Sequence, residues 1–168
     1  MYTMRKIFAF LLCLALASVL KAQDIAGVWV QVNSASDGGS EMTVSDTLKL
    51  SADGVFRDVV IIGMSMDEGD RENTTIRMQV LCSGKWTCEN AVLTQTYDIK
   101  SISSEVLEQP EGFPKMFANM ITKATVSEFK KQAKKPQRSE VLSVTADTLK
   151  LKGIGEKSPE IDTYVRVE

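Results

Sequence analysis

Apolar and polar residues alternate along most of this chain. In Gly27 to Val32 the apolar positions are Val28, Val30 and Val32, the period of a strand. "DTLKLSADGVFRDVVIIGM" reads as strand, turn, strand, with Asp53-Gly54 as the hairpin turn. Thr74 to Thr87 alternates again and places Ile76, Met78, Val80, Cys82, Gly84 and Trp86 on one face. Glu89-Asn90 turns that strand into "AVLTQTYDI". Near the end come "SEVLSVTADTLKLKG", turning at Ala146-Asp147, and "DTYVRV". The count is eight to nine short strands with frequent turns, which predicts a mainly β barrel or sandwich.

One segment has a different period. Across about residues 111–138, Phe113, Phe117, Met120 and Ala124 fall at i, i+4, i+7 and i+11, a helical stripe. Thr125-Val126-Ser127-Glu128 fits a capping box, and Pro136 is a stop. The pattern therefore predicts a short helical insertion of two helices, about 114–123 and 126–135. Its stripe (Phe113, Phe117, Met120, with Phe129) is expected to lie against the sheet, because it would otherwise expose a large apolar patch.

The start of the chain does not belong to this pattern. Arg5 and Lys6 precede "IFAFLLCLALASVL", an apolar run of secretory length that ends before Ala22. Residues 1–22 are expected to be a signal peptide, and residues 23–168 one exported domain, periplasmic or secreted. A lipid anchor on Cys13 is the competing reading. It fails on position, since Leu12 stands where a small residue is wanted and the apolar run continues beyond it. No second long apolar run occurs, so no transmembrane segment is expected in the mature chain. The formal net charge is −2, and the first 22 residues hold Arg5, Lys6 and Lys21 without an acid. The exported part is more acidic still, which argues against nucleic acid as a partner.

Export brings Cys82 and Cys88 into a compartment where disulfides form. In one extended strand, six residues at roughly 3.3 Å each separate them by about 20 Å. A bridge needs Cα atoms within about 7 Å. Two buried thiols are preferred, and a bridge would need a bend at Ser83-Gly84.

Gly27, Val28 and Trp29 on the first strand and Arg166 on the last suggest how a barrel closes. A Gly allows close backbone approach, Trp plugs the end, and an Arg stacks on the indole. Together with "SADGVF", "GKWTCENAVLT" and "YVRV", this resembles the lipocalin and lipocalin-like family of calycin-type β-barrels, most closely its small secreted bacterial members. The resemblance covers most of Ile25–Asn90 and Val141–Val167. It implies an up-and-down antiparallel β-barrel of about eight strands, with an interior that often holds a small apolar molecule. Gly27, Trp29 and Arg166 are its structural signature. Val30 stands where an aromatic usually follows the Trp.

Phe56, Met78, Val80, Trp86 and Tyr97 are the candidate ligand-binding residues, against plain core filling by the same side chains. Two orientations of the first strand are open. Trp29 can point inward, sharing its face with Gln31 and Asn33, so that Val28, Val30 and Val32 need a cover outside, for which the helical insertion is the candidate. Alternatively, the Val face points in. The first is preferred.

"MDEGDREN", Met66 to Asn73, is acid-rich but lacks calcium-loop spacing, so a solvated loop is expected. Lys130, Lys131, Lys134, Lys135 and Arg138 complement the end of a helix. Contact with an anionic surface or an acidic ligand group is the alternative. The chain has no His, no Gly-x-Ser-x-Gly and no phosphate-binding Gly loop. No catalytic residue, metal site or cofactor is expected, although paired-carboxylate chemistry stays open because Asp and Glu are plentiful. The expected function is binding of a small apolar or amphipathic ligand without catalysis. The alternative is a solid barrel that presents the insertion to an envelope protein partner.

Overall fold

A computed structural model describes residues 25–37, 40–66, 74–155 and 160–167. The expected signal peptide, residues 1–22, and most of the acid-rich loop, residues 67–73, lie outside the described residues. The strands are β1 (Gly27–Asp37), β2 (Ser40–Leu50), β3 (Val55–Met66), β4 (Thr74–Glu89), β5 (Val92–Tyr97), β6 (Ser103–Glu108), β7 (Gln137–Val144), β8 (Thr148–Gly153) and β9 (Ile161–Val167). One α-helix, α1 (Lys115–Gln132), stands between β6 and β7. Among the described residues no helix is long and apolar enough to cross a membrane.

Eight strands close a ring. Consecutive antiparallel neighbours run from β1 through β5, then β7, β8 and β9, and β9 returns to β1. This is the mainly β, up-and-down barrel that the alternation and the resemblance imply. β6 is a ninth strand outside the ring. β4 is long enough to hold two partners on one edge, β5 along Gly84–Glu89 and β6 along Arg77–Leu81. The gap between them falls at Ser83. There the backbone N–H donates to Ser101 Oγ, and the carbonyl accepts from Asp98 N–H and Ser101 Oγ. No polar group at that break is left open. Gly84 is the pivot: a Cβ there would meet Thr96 O at 2.1 Å and Phe56 Cε1 at 2.8 Å, so only glycine lets β5 and Phe56 close in.

The hairpins form where turn residues stand. Ser51 N–H bonds to Val55 O around Asp53-Gly54, and Thr145 N–H bonds to Thr148 O around Ala146-Asp147. The β4–β5 turn is centred one residue later than the sequence suggests. Asn90 (φ 51°) and Ala91 (φ 59°) are its two left-handed residues.

The helical insertion differs from expectation in four ways. It is one continuous helix rather than two. No Gly or Pro interrupts Lys115–Gln132, and Thr125, expected to cap a second helix, instead points its Oγ1 at Met78 Sδ, 3.5 Å away. Its docking face is also different. Ala118 is buried, and Val126 and Phe129 pack with Ala133 on Val60, Val80, Cys82 and Ile102. Met116 (73 % exposed), Phe117 and Met120 face out. A narrow space takes small and β-branched residues, and the bulky stripe does not fit it. Gln137 and Arg138, placed in the insertion by pattern, belong to β7, with Arg138 paired to Thr94. Finally, α1 packs on β6 and on the interior cluster, not on the outer face of β1, so it does not cover the Val residues there. Val32 is 66 % exposed.

Candidate functional site

The barrel interior has two apolar clusters. The first contains Ile25, Trp29, Leu48, Leu50, Phe56, Trp86, Leu93, Leu149 and Tyr164. Trp29 points inward, the preferred orientation. Its indole N–H donates to Ile25 O at 2.9 Å, and Arg166, its cross-strand partner, lies 4.2 Å from the ring centroid. Arg166 also donates to Ala26 O, and a Cβ on Gly27 would come within 2.9 Å of its guanidinium. The closing arrangement of Gly27, Trp29 and Arg166 is thus present, with a shielded cation–π contact of about 0.5–2 kcal/mol. Trp86 donates from its indole to Ser51 O at 3.0 Å. Every large polar handle at this end has a partner, as buried aromatics require.

The second cluster lies beneath α1. Val60, Val80, Cys82 and Ile102 are its buried members, joined by Val44, Ile62, Tyr97, Val126 and Phe129. The five candidate ligand residues divide between the clusters. Phe56 and Trp86 fill the first. Val80 belongs to the second, and fully buried Met78 lies on the same β4 face under Thr125. Tyr97 touches both and sets its ring edge-on to Phe56 at 4.9 Å.

Between the clusters runs a polar belt that sequence reading did not single out. Asp46 on β2 and Asp58 on β3 carry neighbouring carboxyl groups, close enough for Asp46 to bear on the ionisation of Asp58. Tyr164 donates to Asp46 Oδ2 at 2.6 Å, and the Cys82 thiol faces Asp58 Oδ2 at 3.7 Å. Asp58 is only 8 % exposed. Burial, then the neighbouring Asp46 carboxyl, holds the Asp58 carboxyl well above the usual carboxylate range. Burial, with the nearby carboxyls adding to it, also pushes up the Cys82 thiol and the Tyr97 and Tyr164 phenols. The Cys82 thiol and the Tyr164 phenol are thus protonated donors to Asp58 and Asp46. The sequence did carry a signal for the belt. Asp46 is in phase with Leu48 and Leu50, and Asp58 with Phe56 and Val60, so each carboxyl lies on an inward face.

Cys82 and Cys88 are both buried and unbridged, the preferred reading. Burial raises the Cys88 thiol too. Among the described residues no three metal-binding side chains converge.

Three cavities border α1. One of about 590 Å³ runs between α1 and Ser104 on β6. One of about 500 Å³ lies along β6 from Ser104 to Glu108, with Ala118 and Asn119 on the helix side. A smaller one of about 170 Å³ sits among Tyr97, Ile102, Phe129 and Ala133. The chain matches no known protein family, and no curated protein resembles it in sequence.

Proposed function

We propose that the protein is an exported, lipocalin-like binding protein for a small apolar or amphipathic molecule, without catalysis, and that α1 covers its binding end. The observation behind this reading is the unequal filling of the barrel. The end around Trp29 is packed, and both indole N–H groups there bond to backbone carbonyls. The other end is roofed by a helix held through a few small and half-buried side chains, with about 170 to 590 Å³ of open space around it. The two larger spaces, of about 590 and 500 Å³, fall in the size range of pockets for small ligands. A roof attached so lightly opens without unfolding the strands, because few ladder hydrogen bonds depend on it.

The test is uptake of an environment-sensitive apolar dye by the intact protein and by a variant with residues 112–136 replaced by a short Gly-Ser loop. Faster uptake in a still-folded variant is expected. Native mass spectrometry of the purified protein should show a co-purified small molecule, and N-terminal sequencing of exported material should begin at Gln23. The exposed stripe of Met116, Phe117 and Met120 favours a second reading, in which α1 presents itself to an envelope protein. Absence of dye binding in both forms would move the assignment there.

A further inference from the structure

We propose that the groove between α1 and β6 is an anion-recognition site, which selects ligands carrying a carboxylate, sulfate or phosphate on an apolar body. This rests on the small-ligand reading and deepens it. Lys123, Lys130, Lys131 and Lys134 all line the groove of about 590 Å³, together with Ser104 and Val126, and no acidic side chain lines it. Lys123, Lys130 and Lys131 follow one helical stripe at i, i+7 and i+8, and Lys134 stands in the turn just after α1. Lys131 is paired with Glu128 at 3.0 Å. Lys123, Lys130 and Lys134 make no ion pair among the described residues.

Complementing the end of the helix explains lysines in the last turn. It does not explain Lys123, more than two turns before Gln132. Lys123, Lys130 and Lys134 thus give the groove three ammonium groups with no carboxylate paired to them among the described residues, and an anion is the complementary ligand. Ser104 on β6 lines the same groove, its Oγ buried and without a hydrogen-bond partner among the described residues. The neighbouring groove is different: it carries Glu105 and Glu108 beside Lys115, and Glu108 meets Arg77 at 3.6 Å. Only one side of the helix is uniformly basic.

Val126 sets the apolar part of the ligand. It lines the groove and also packs with the cluster of Val60 and Val80. A head group on the lysines therefore places its tail against Val126, on the side of the helix that meets the interior cluster.

The test is fluorescence titration with dansyl-labelled undecanoic acid, its methyl ester and the corresponding dansyl-alkylamine. The acid is expected to bind about tenfold more tightly than the ester, equivalent to about 1.4 kcal/mol, and the amine more weakly than either. Raised salt should weaken the acid alone, since exposed charges are screened. Lys130→Ala with Lys134→Ala should abolish the preference for the acid and leave ester binding unchanged. Lys115→Ala, in the other groove, should change neither. Equal binding of acid and ester, unaltered by the lysine variants, would overturn the anion site and leave the carrier reading standing. No binding of any probe would overturn both. Binding to phosphatidylglycerol vesicles without binding of the monomeric acid would overturn the ligand site in favour of contact with an anionic membrane surface.

Discussion

The two ends of the barrel solve the same problem differently. Around Trp29 the interior is closed by large rigid side chains tied to backbone: the two indoles donate to Ile25 O and Ser51 O, and Arg166 spans Trp29 and Ala26 O. Beneath α1 the strands supply aliphatic residues, but the cover comes from Val126, Phe129 and Ala133 on a helix otherwise in solvent. The polar belt of Asp46, Asp58, Cys82 and Tyr164 separates the two. One end is built to stay shut. The other is loosely covered, lies over a buried acid pair that costs stability, and opens to every cavity described. Stability and function are thus assigned to opposite ends.

The largest effect should come from breaking the closed end. Trp29→Ala is expected to lower stability by about 3–5 kcal/mol, the range for losing a buried large aromatic. Arg166→Ala should cost less, and the double variant should cost less than the sum, because the two groups touch. Chemical denaturation of the four proteins measures this. Strict additivity would remove the stacking contribution.

The belt gives a pH dependence of intermediate size. Asp58 is raised in the folded protein, so the folded state holds its proton where the unfolded chain has released it. Stability is full below the ordinary carboxylate range, falls as pH rises from that range toward the raised value, and stays reduced above it. Asp58→Asn should remove this slope and raise stability at pH 8 by about 1–2 kcal/mol, since one pK unit is worth about 1.4 kcal/mol. Thermal unfolding across pH 4 to 9 measures it. A stability that rises over that window in the unsubstituted protein would show that the pair is ionised and compensated.

The smallest effect belongs to the turn next to the first cluster. Ala91 adopts a left-handed conformation that glycine occupies without strain. Ala91→Gly should raise stability by about 0.5–1 kcal/mol and leave dye uptake at the helix-covered end unchanged. Altered uptake would show that the two ends are coupled.

The strands were legible because a half-buried strand writes its inward face into every second residue. Ile76 through Trp86 on β4 kept that phase over the whole run. The closing corner was legible because Gly27, Trp29 and Arg166 need one another in a crowded place. The helical region was not. Of the expected bulky residues Phe129 does dock, but Phe117 and Met120 formed the more conspicuous stripe and face out, whereas the rest of the docking face uses Ala118, Thr125 and Val126, which do not continue that stripe. The capping-box pattern at Thr125 to Glu128 marks a helix start only when the preceding chain leaves the helix, and nothing there forces it to. β6 escaped notice because "SSEVLE" is mostly exposed and only two of its side chains are half-buried. The acid pair was visible as two inward-phase aspartates, but their proximity depends on the register of β2 on β3, where Leu48 lies opposite Asp58, and pattern alone does not fix that register.

The most direct test of the division between the ends is an NMR titration of the ¹⁵N-labelled protein with dansyl-labelled undecanoic acid. Amide shifts are expected on α1, on β6 and on the β4 segment from Met78 to Cys82, while Trp29, Trp86 and their β1 and β9 neighbours stay in place. Shifts centred on the Trp29 end, with α1 and β6 unmoved, would contradict the assignment of binding to the helix-covered end.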